Sequence, residues 1–173
     1  GMINYSSGGN GTGAHLTGAL FMHVAGIHLV HVPYKSVGAG ISAVLSREVH
    51  VTCVGMALAA PQIAAGRVKA YAVASKQRFP TAPDVPTTAE AGLPAFEATT
   101  WFGMFGPAHT PSTIVARLNR DIGDILRAPA TRAAMLAQGA EPVPGTPEEF
   151  GAFVKSEIVK WKEVARVSGA TMD

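Results

Sequence analysis

The chain has 173 residues, 47% of them hydrophobic and 15% charged, which gives it material for a real core and sets it apart from disordered sequences. That length fits one domain or two small lobes. Lys and Arg number 14 against 12 Asp and Glu, and the net +2 is scattered along the chain, so no nucleic-acid footprint is formed.

No apolar run reaches the length of a membrane span. Gly1-Met2-Ile3-Asn4, which leads into a turn by Ser6, does not read as a signal peptide, and Gly1 reads as a residue left by tag removal. A strand over about 2–5 is expected to run into a glycine-rich turn at 8–13. A helix over about 12–25 follows, with Leu16, Ala19, Leu20 and Val24 on one face. Next come a strand at 28–32 stopped by Pro33, a helix at 36–46, a strand at 49–54, a helix at 56–65 and a strand at 68–74. Strands alternating with helices are the pattern of an α/β fold with a largely parallel sheet. Cys53, the single cysteine, excludes an internal disulfide and a cysteine-based zinc cluster, and reads as a small buried hydrophobe.

Residues 76–96 carry Pro80, Pro83, Pro86 and Pro94 and read as a loop with one helical turn near 87–91. Thr99 to Phe105 reads as a further strand. Beyond it the chain reads as helical. Thr110-Pro111 looks like an N-cap with proline at the first helical position, opening a helix at 111–127. A short helix at 129–138 ends at Gly139, and Thr146-Pro147-Glu148-Glu149 is a capping box for a last helix. Two parts result: an α/β lobe over 1–98, then a strand and three helices over 99–173.

The feature with most chemistry is Ser6-Ser7-Gly8-Gly9-Asn10-Gly11-Thr12-Gly13, between a strand and a helix. Glycines allow a tight turn and a close backbone approach to a ligand. The helix behind them leaves its first N–H groups unpaired at the positive end of its dipole. With hydroxyls from Ser7 and Thr12, such a turn accepts a carboxylate, sulfate or phosphate without a charged side chain. A plain strand-to-helix turn, capped by Asn10 or Thr12, is the competing reading. A Walker-type phosphate loop lacks its lysine. A dinucleotide turn, weakly matched by Gly9-x-Gly11-x-x-Ala14, lacks the acid after the second strand, where Pro33-Tyr34-Lys35 stands.

Catalytic and metal readings find little support. His28 and His31 share a strand at a spacing that sends them to opposite faces, and His15 and His23 share a helix without converging. No His-Glu-x-x-His occurs, so no metal is expected. Ser7 stands outside a Gly-x-Ser-x-Gly elbow. Glu48 is the only carboxylate in the first 80 residues, which leaves no acid–base pair beside the turn. A binding protein without catalytic residues or cofactor fits better than an enzyme.

Several segments, in order, resemble the tripartite tricarboxylate transporter receptors, the Bug family of periplasmic solute-binding proteins. They are Asn4-Tyr5-x-Ser7-x-Gly9-Asn10-Gly11-Thr12-x-x-His15-Leu16, His31-Val32-Pro33-Tyr34-Lys35, Ala65-Gly66-Arg67-Val68-Lys69-Ala70, Pro83-Asp84-Val85-Pro86-Thr87, Trp101-Phe102-Gly103 and Gly139-Ala140-Glu141-Pro142. The resemblance implies the second lobe of a type II periplasmic-binding-protein fold, followed by a crossover strand and C-terminal helices of an incomplete first lobe. It implies a small carboxylate, dicarboxylate or amino acid as ligand, held by Ser7, Gly9, Asn10, Gly11 and Thr12, with His15 and Tyr34 at motif positions. A periplasmic location and partnership with membrane transporter subunits follow by the same resemblance. Val54 stands where the family usually carries an aspartate, and His50 where an acid is common. A first lobe without its N-terminal strands leaves the segment from Thr99 uncovered, so a homodimer or higher oligomer is expected. The alternatives are a small α/β nucleotide-binding enzyme using the glycine turn and an oligomeric remnant that binds nothing.

Overall fold

The computed structural model describes residues 2–168; the reading of Gly1 lies outside them. Three parallel strands, β1 (Asn4–Ser7), β2 (Val30–Pro33) and β3 (Val51–Thr52), form a sheet in the order β2-β1-β3. Parallel neighbours require a crossover. Helix α1 (Gly13–Ala25) supplies the one from β1 to β2, α2 (Val37–Leu45) the one from β2 to β3, and α3 (Met56–Ala64) follows β3. Tyr5 of β1 stands opposite His31 on one side and Val51 on the other.

Strand β1 is buried on both faces, because successive side chains point opposite ways. Tyr5 packs under α1: a Cβ built on Gly18 would lie 2.3 Å from its ring. Ser6 faces α2 and donates its hydroxyl to the Gly40 carbonyl at 3.0 Å. The two crossover helices therefore cover opposite faces of the sheet, and Tyr5, Ser6 and Ser7 are the most completely buried side chains. The apolar stripe expected on α1 is the one that packs. Ala19 and Leu20 are buried with Phe96 and Val164, and Leu16, Val24 and Trp161 surround them.

The chain forms two compact units, one running through Thr100 and including the stretch from Lys160 on, the other spanning Trp101–Val159. Val164, near the end of the last helix, thus belongs with the first unit. The second unit contains α4 (Ser112–Arg127), α5 (Pro129–Ala137) and most of α6 (Pro147–Ser168). The capping box at its start forms as expected: Glu149 N–H donates to Thr146 Oγ1 at 3.1 Å, and Thr146 N–H to Glu149 Oε2 at 2.8 Å. A second box, unnoticed in the sequence, holds the turn at 87–91, where Glu90 N–H donates to Thr87 Oγ1 and Thr87 N–H to Glu90 Oε2.

Several expectations need correction. No strand forms over 68–74. Val73 makes one isolated parallel bridge to Thr87, with its N–H on Pro86 O and its carbonyl taking Thr88 N–H. The partner backbone contains Pro86, which has no N–H to extend a ladder. No strand forms over 99–105 either, because no described strand lies beside it. Trp101 is instead held by its indole N–H on Glu157 Oε2 at 3.1 Å and by edge-on contacts with Phe150 and Phe153. Thr110 caps nothing: its hydroxyl donates to Pro107 O, and Pro111, one residue before α4, accepts the first helical bond from Val115. His28 precedes β2 and so is not a strand neighbour of His31.

Candidate anion-binding turn

All three crossover and following helices begin where the parallel strands end, so their positive N-terminal ends gather on one edge of the sheet. The chain leaves β1 for one side and returns to the other, which makes the β1 carboxyl end the topological switch point where α/β sheets take ligands. The glycine turn occupies this place. Gly9 at φ 126° and Gly11 at φ 70° both adopt a backbone that side-chain-bearing residues rarely tolerate. The turn leans on the start of α2, since a Cβ on Gly8 would lie 2.9 Å from Val37 N. Tyr34 N–H, donating to Ser7 O at 3.0 Å, ties the end of β2 to it.

Thr12 precedes α1 in extended backbone but does not cap it with its side chain; its hydroxyl donates to Gly9 O at 2.7 Å. The first amides of α1, at Gly13, Ala14 and His15, have no acceptor inside the helix. Ser36 caps α2 by accepting from Ala39 N–H at 3.1 Å.

The structure brings Ser7 at the end of β1, Gly9, Asn10, Gly11 and Thr12 of the turn, and His15 in the first turn of α1 together. The hydroxyls expected to reach a ligand are engaged within this group. Ser7 is 1% exposed, and its oxygen accepts Gly9 N–H at 3.1 Å and lies 2.6 Å from His31 Nε2. Gly11 N–H donates to His15 Nδ1 at 3.0 Å. Asn10 is exposed at the tip. Tyr34 contributes backbone to the turn, while its hydroxyl is enclosed without a hydrogen-bond partner among the described residues; burial first, then the Glu48 carboxylate, raises its pKa.

A ring stack beneath the turn was missed in the sequence. His15 and His31 stack at 4.0 Å with planes 3° apart, and His31 stacks on Tyr5 at 4.9 Å. Comparing histidines only within one element hid the pair. The available signal was Tyr5 beside His31 in the strand pattern, with His15 one helical turn from the glycine that covers Tyr5. Burial, then the neighbouring His15, pushes His31 down to about 4, and burial also lowers His15. Both rings are neutral at pH 7. Burial, then Cys53, pushes Tyr5 up to about 12, and burial pushes the partly exposed Cys53 up to about 11, so neither bears charge.

The short Ser7–His31 contact lacks the setting of an activated nucleophile: Ser7 is 1% exposed, and the side-chain hydrogen bond of His31 among the described residues goes to Ser7. What the turn itself presents is neutral: helix-start amides, a glycine loop and the stacked rings of His15 and His31. Helix-start amides of this kind are chemically suited to an anion.

Among described residues no group of side chains suits a metal ion, and no helix is long and apolar enough to cross a membrane. The sequence profile of the "Tripartite tricarboxylate transporter family receptor" matches residues 1–169. A Pseudomonas sp. (strain P51) protein, the UPF0065 protein of the tcbD-tcbE intergenic region, is 37% identical over 165 residues, covering 95% of this chain and 49% of that protein. Among solved structures, R. palustris Rpa4515 with adipate is 31% identical with a TM-score of 0.82, covering 98% of this chain and 56% of that one. MatC from Rhodopseudomonas palustris with bound malate is 32% identical with a TM-score of 0.74, covering 94% and 56%. The chain thus spans about half the length of each.

Proposed function

The chain belongs to the tripartite tricarboxylate transporter receptor family, and from that premise we propose that it works as part of an extracytoplasmic solute-binding receptor for a small carboxylate. The observation that carries this reading is the glycine turn at the sheet's switch point, backed by the unpaired amides of α1. Dicarboxylates are the favoured ligand class, by analogy with the adipate and malate of the two structural relatives. On this reading residues 1–98 form the ligand-binding lobe. Gly9, Asn10, Gly11 and Thr12 with the start of α1 meet one carboxylate, and Ser7, His15 and Tyr34 support them from behind. The protein is periplasmic and delivers its solute to membrane transporter subunits. Crystals soaked in malate or adipate are expected to show the acid at residues 9–14. Acids bound only elsewhere would sink the assignment, as would protection from thermal unfolding by nucleotides and not by dicarboxylates.

Self-association is the second part of the proposal. In the unit Trp101–Val159, Phe102 is 94% exposed, Met104 72% and Phe105 67%, and Ile114, Leu118 and Ile125 of α4 are at least half as open as that. Exposed side chains of this size forgo about 1.5–3 kcal/mol of burial each. A second copy of the chain, packed on this surface, recovers part of it. Light scattering at micromolar concentration should report a dimer or higher oligomer; a stable monomer would refute this.

A further inference from the structure

We propose that His15 is a positioning residue for the glycine turn: as a neutral acceptor it holds the Gly11 amide, and so fixes the loop geometry that receives an anion. The anion clause rests on the receptor reading above, whereas the latch itself does not. Gly11 N–H reaches His15 Nδ1 at 3.0 Å, which requires a lone pair on Nδ1 and leaves any ring proton on Nε2. The ring cannot turn freely, because His31 lies flat against it at 4.0 Å and Tyr5 stacks behind His31 at 4.9 Å, its plane tilted by 27°. His31 in turn meets Ser7 Oγ, which accepts Gly9 N–H. The amides of both positive-φ glycines in the turn are therefore tied to one stack of rings, Gly11 directly and Gly9 through Ser7.

This arrangement gives the latch a chemical signature. An imidazolium carries N–H on both ring nitrogens, so protonated His15 would set donor against donor at Gly11. The titratable groups facing the pair are His31 and His15 for each other, Tyr5 of β1 behind His31, and Cys53 beyond Tyr5. None supplies a negative charge that would steady the imidazolium. Acid should release the turn.

The test follows the Gly11 amide in ¹⁵N-labelled, ligand-free protein from pH 8 to 5. Its chemical shift is expected to track the His15 ring titration, and its exchange with solvent, corrected for intrinsic rate, to quicken as the ring protonates. In His15→Gln, whose amide oxygen offers an acceptor that does not titrate, the Gly11 response should flatten. Malate affinity of the natural chain should fall about fivefold more across this range than that of His15→Gln, the loss expected for one hydrogen bond. A Gly11 amide indifferent to the His15 titration would overturn the latch. A Gly11 amide that tracks it, in a protein that binds neither malate nor adipate, would uphold the latch and remove the dicarboxylate assignment.

Discussion

Gly18→Val is expected to destabilise the fold by about 3 kcal/mol, and Gly18→Ala by about 1–2 kcal/mol, the range typical of overpacked cores. Elsewhere in a helix, glycine to alanine gains roughly 0.5–1 kcal/mol. The sign reverses at this position because the added Cβ would stand 2.3 Å from one Tyr5 ring atom and within 2.9 Å of two more. The ring cannot swing away: Tyr5 is 1% exposed and His31 is stacked on it. Gly151, inside α6 with nothing within 4 Å of its absent Cβ, supplies the contrast. Urea unfolding should show Gly151→Ala neutral or stabilising and both Gly18 variants destabilising. Equal gains from alanine at the two positions would mean that α1 does not press on β1 as described.

The same contact shows what the sequence could and could not tell. Leu16, Ala19, Leu20 and Val24 announced the buried face of α1 by spacing alone, and Thr146 with Glu149 announced the start of α6, because both signals are local. The strand–helix alternation through residue 64 was legible for the same reason. The segments 68–74 and 99–105 misled because β propensity describes a residue that would fit a sheet, while a strand also needs a neighbour with free N–H and C=O groups. Val73 met Pro86, and the run from Thr99 met no described strand.

At the site, the position of the turn was legible from its glycines, but its internal bonding was not. Ser7 and Thr12 read as outward donors, since nothing in a linear sequence reveals that Ser7 is sealed at 1% exposure or that Thr12 bonds back to Gly9. The histidine stack joins α1 to β2 across a crossover. Only the parallel register that sets Tyr5 beside His31 brings it into view.

That stack should make the protein acid-sensitive well above the range in which carboxylates titrate. The folded protein holds His31 at about 4, with burial as the main cause and His15 the second, against 6.5 for an ordinary histidine. Between those values the unfolded chain binds a proton that the folded chain refuses, so stability rises with pH across the window and falls as pH drops through it. From pH 7 to pH 5 the loss assigned to His31 is on the order of 2 kcal/mol, an upper figure because the ring is only partly buried. His15, lowered by burial as well, adds to the loss with the same sign. Against a typical domain stability of about 5–15 kcal/mol, this is a large fraction. Urea midpoints measured at pH 7, 6 and 5 are expected to fall steadily. In His31→Phe, which keeps an aromatic ring between Tyr5 and His15 but carries no titrating nitrogen, most of that slope should disappear, leaving the smaller part due to His15. A natural chain whose midpoint stays level from pH 7 to 5 would show that His31 ionises as freely folded as unfolded. The imidazole would then be hydrated, and the close stack beneath the glycine turn would be absent in solution.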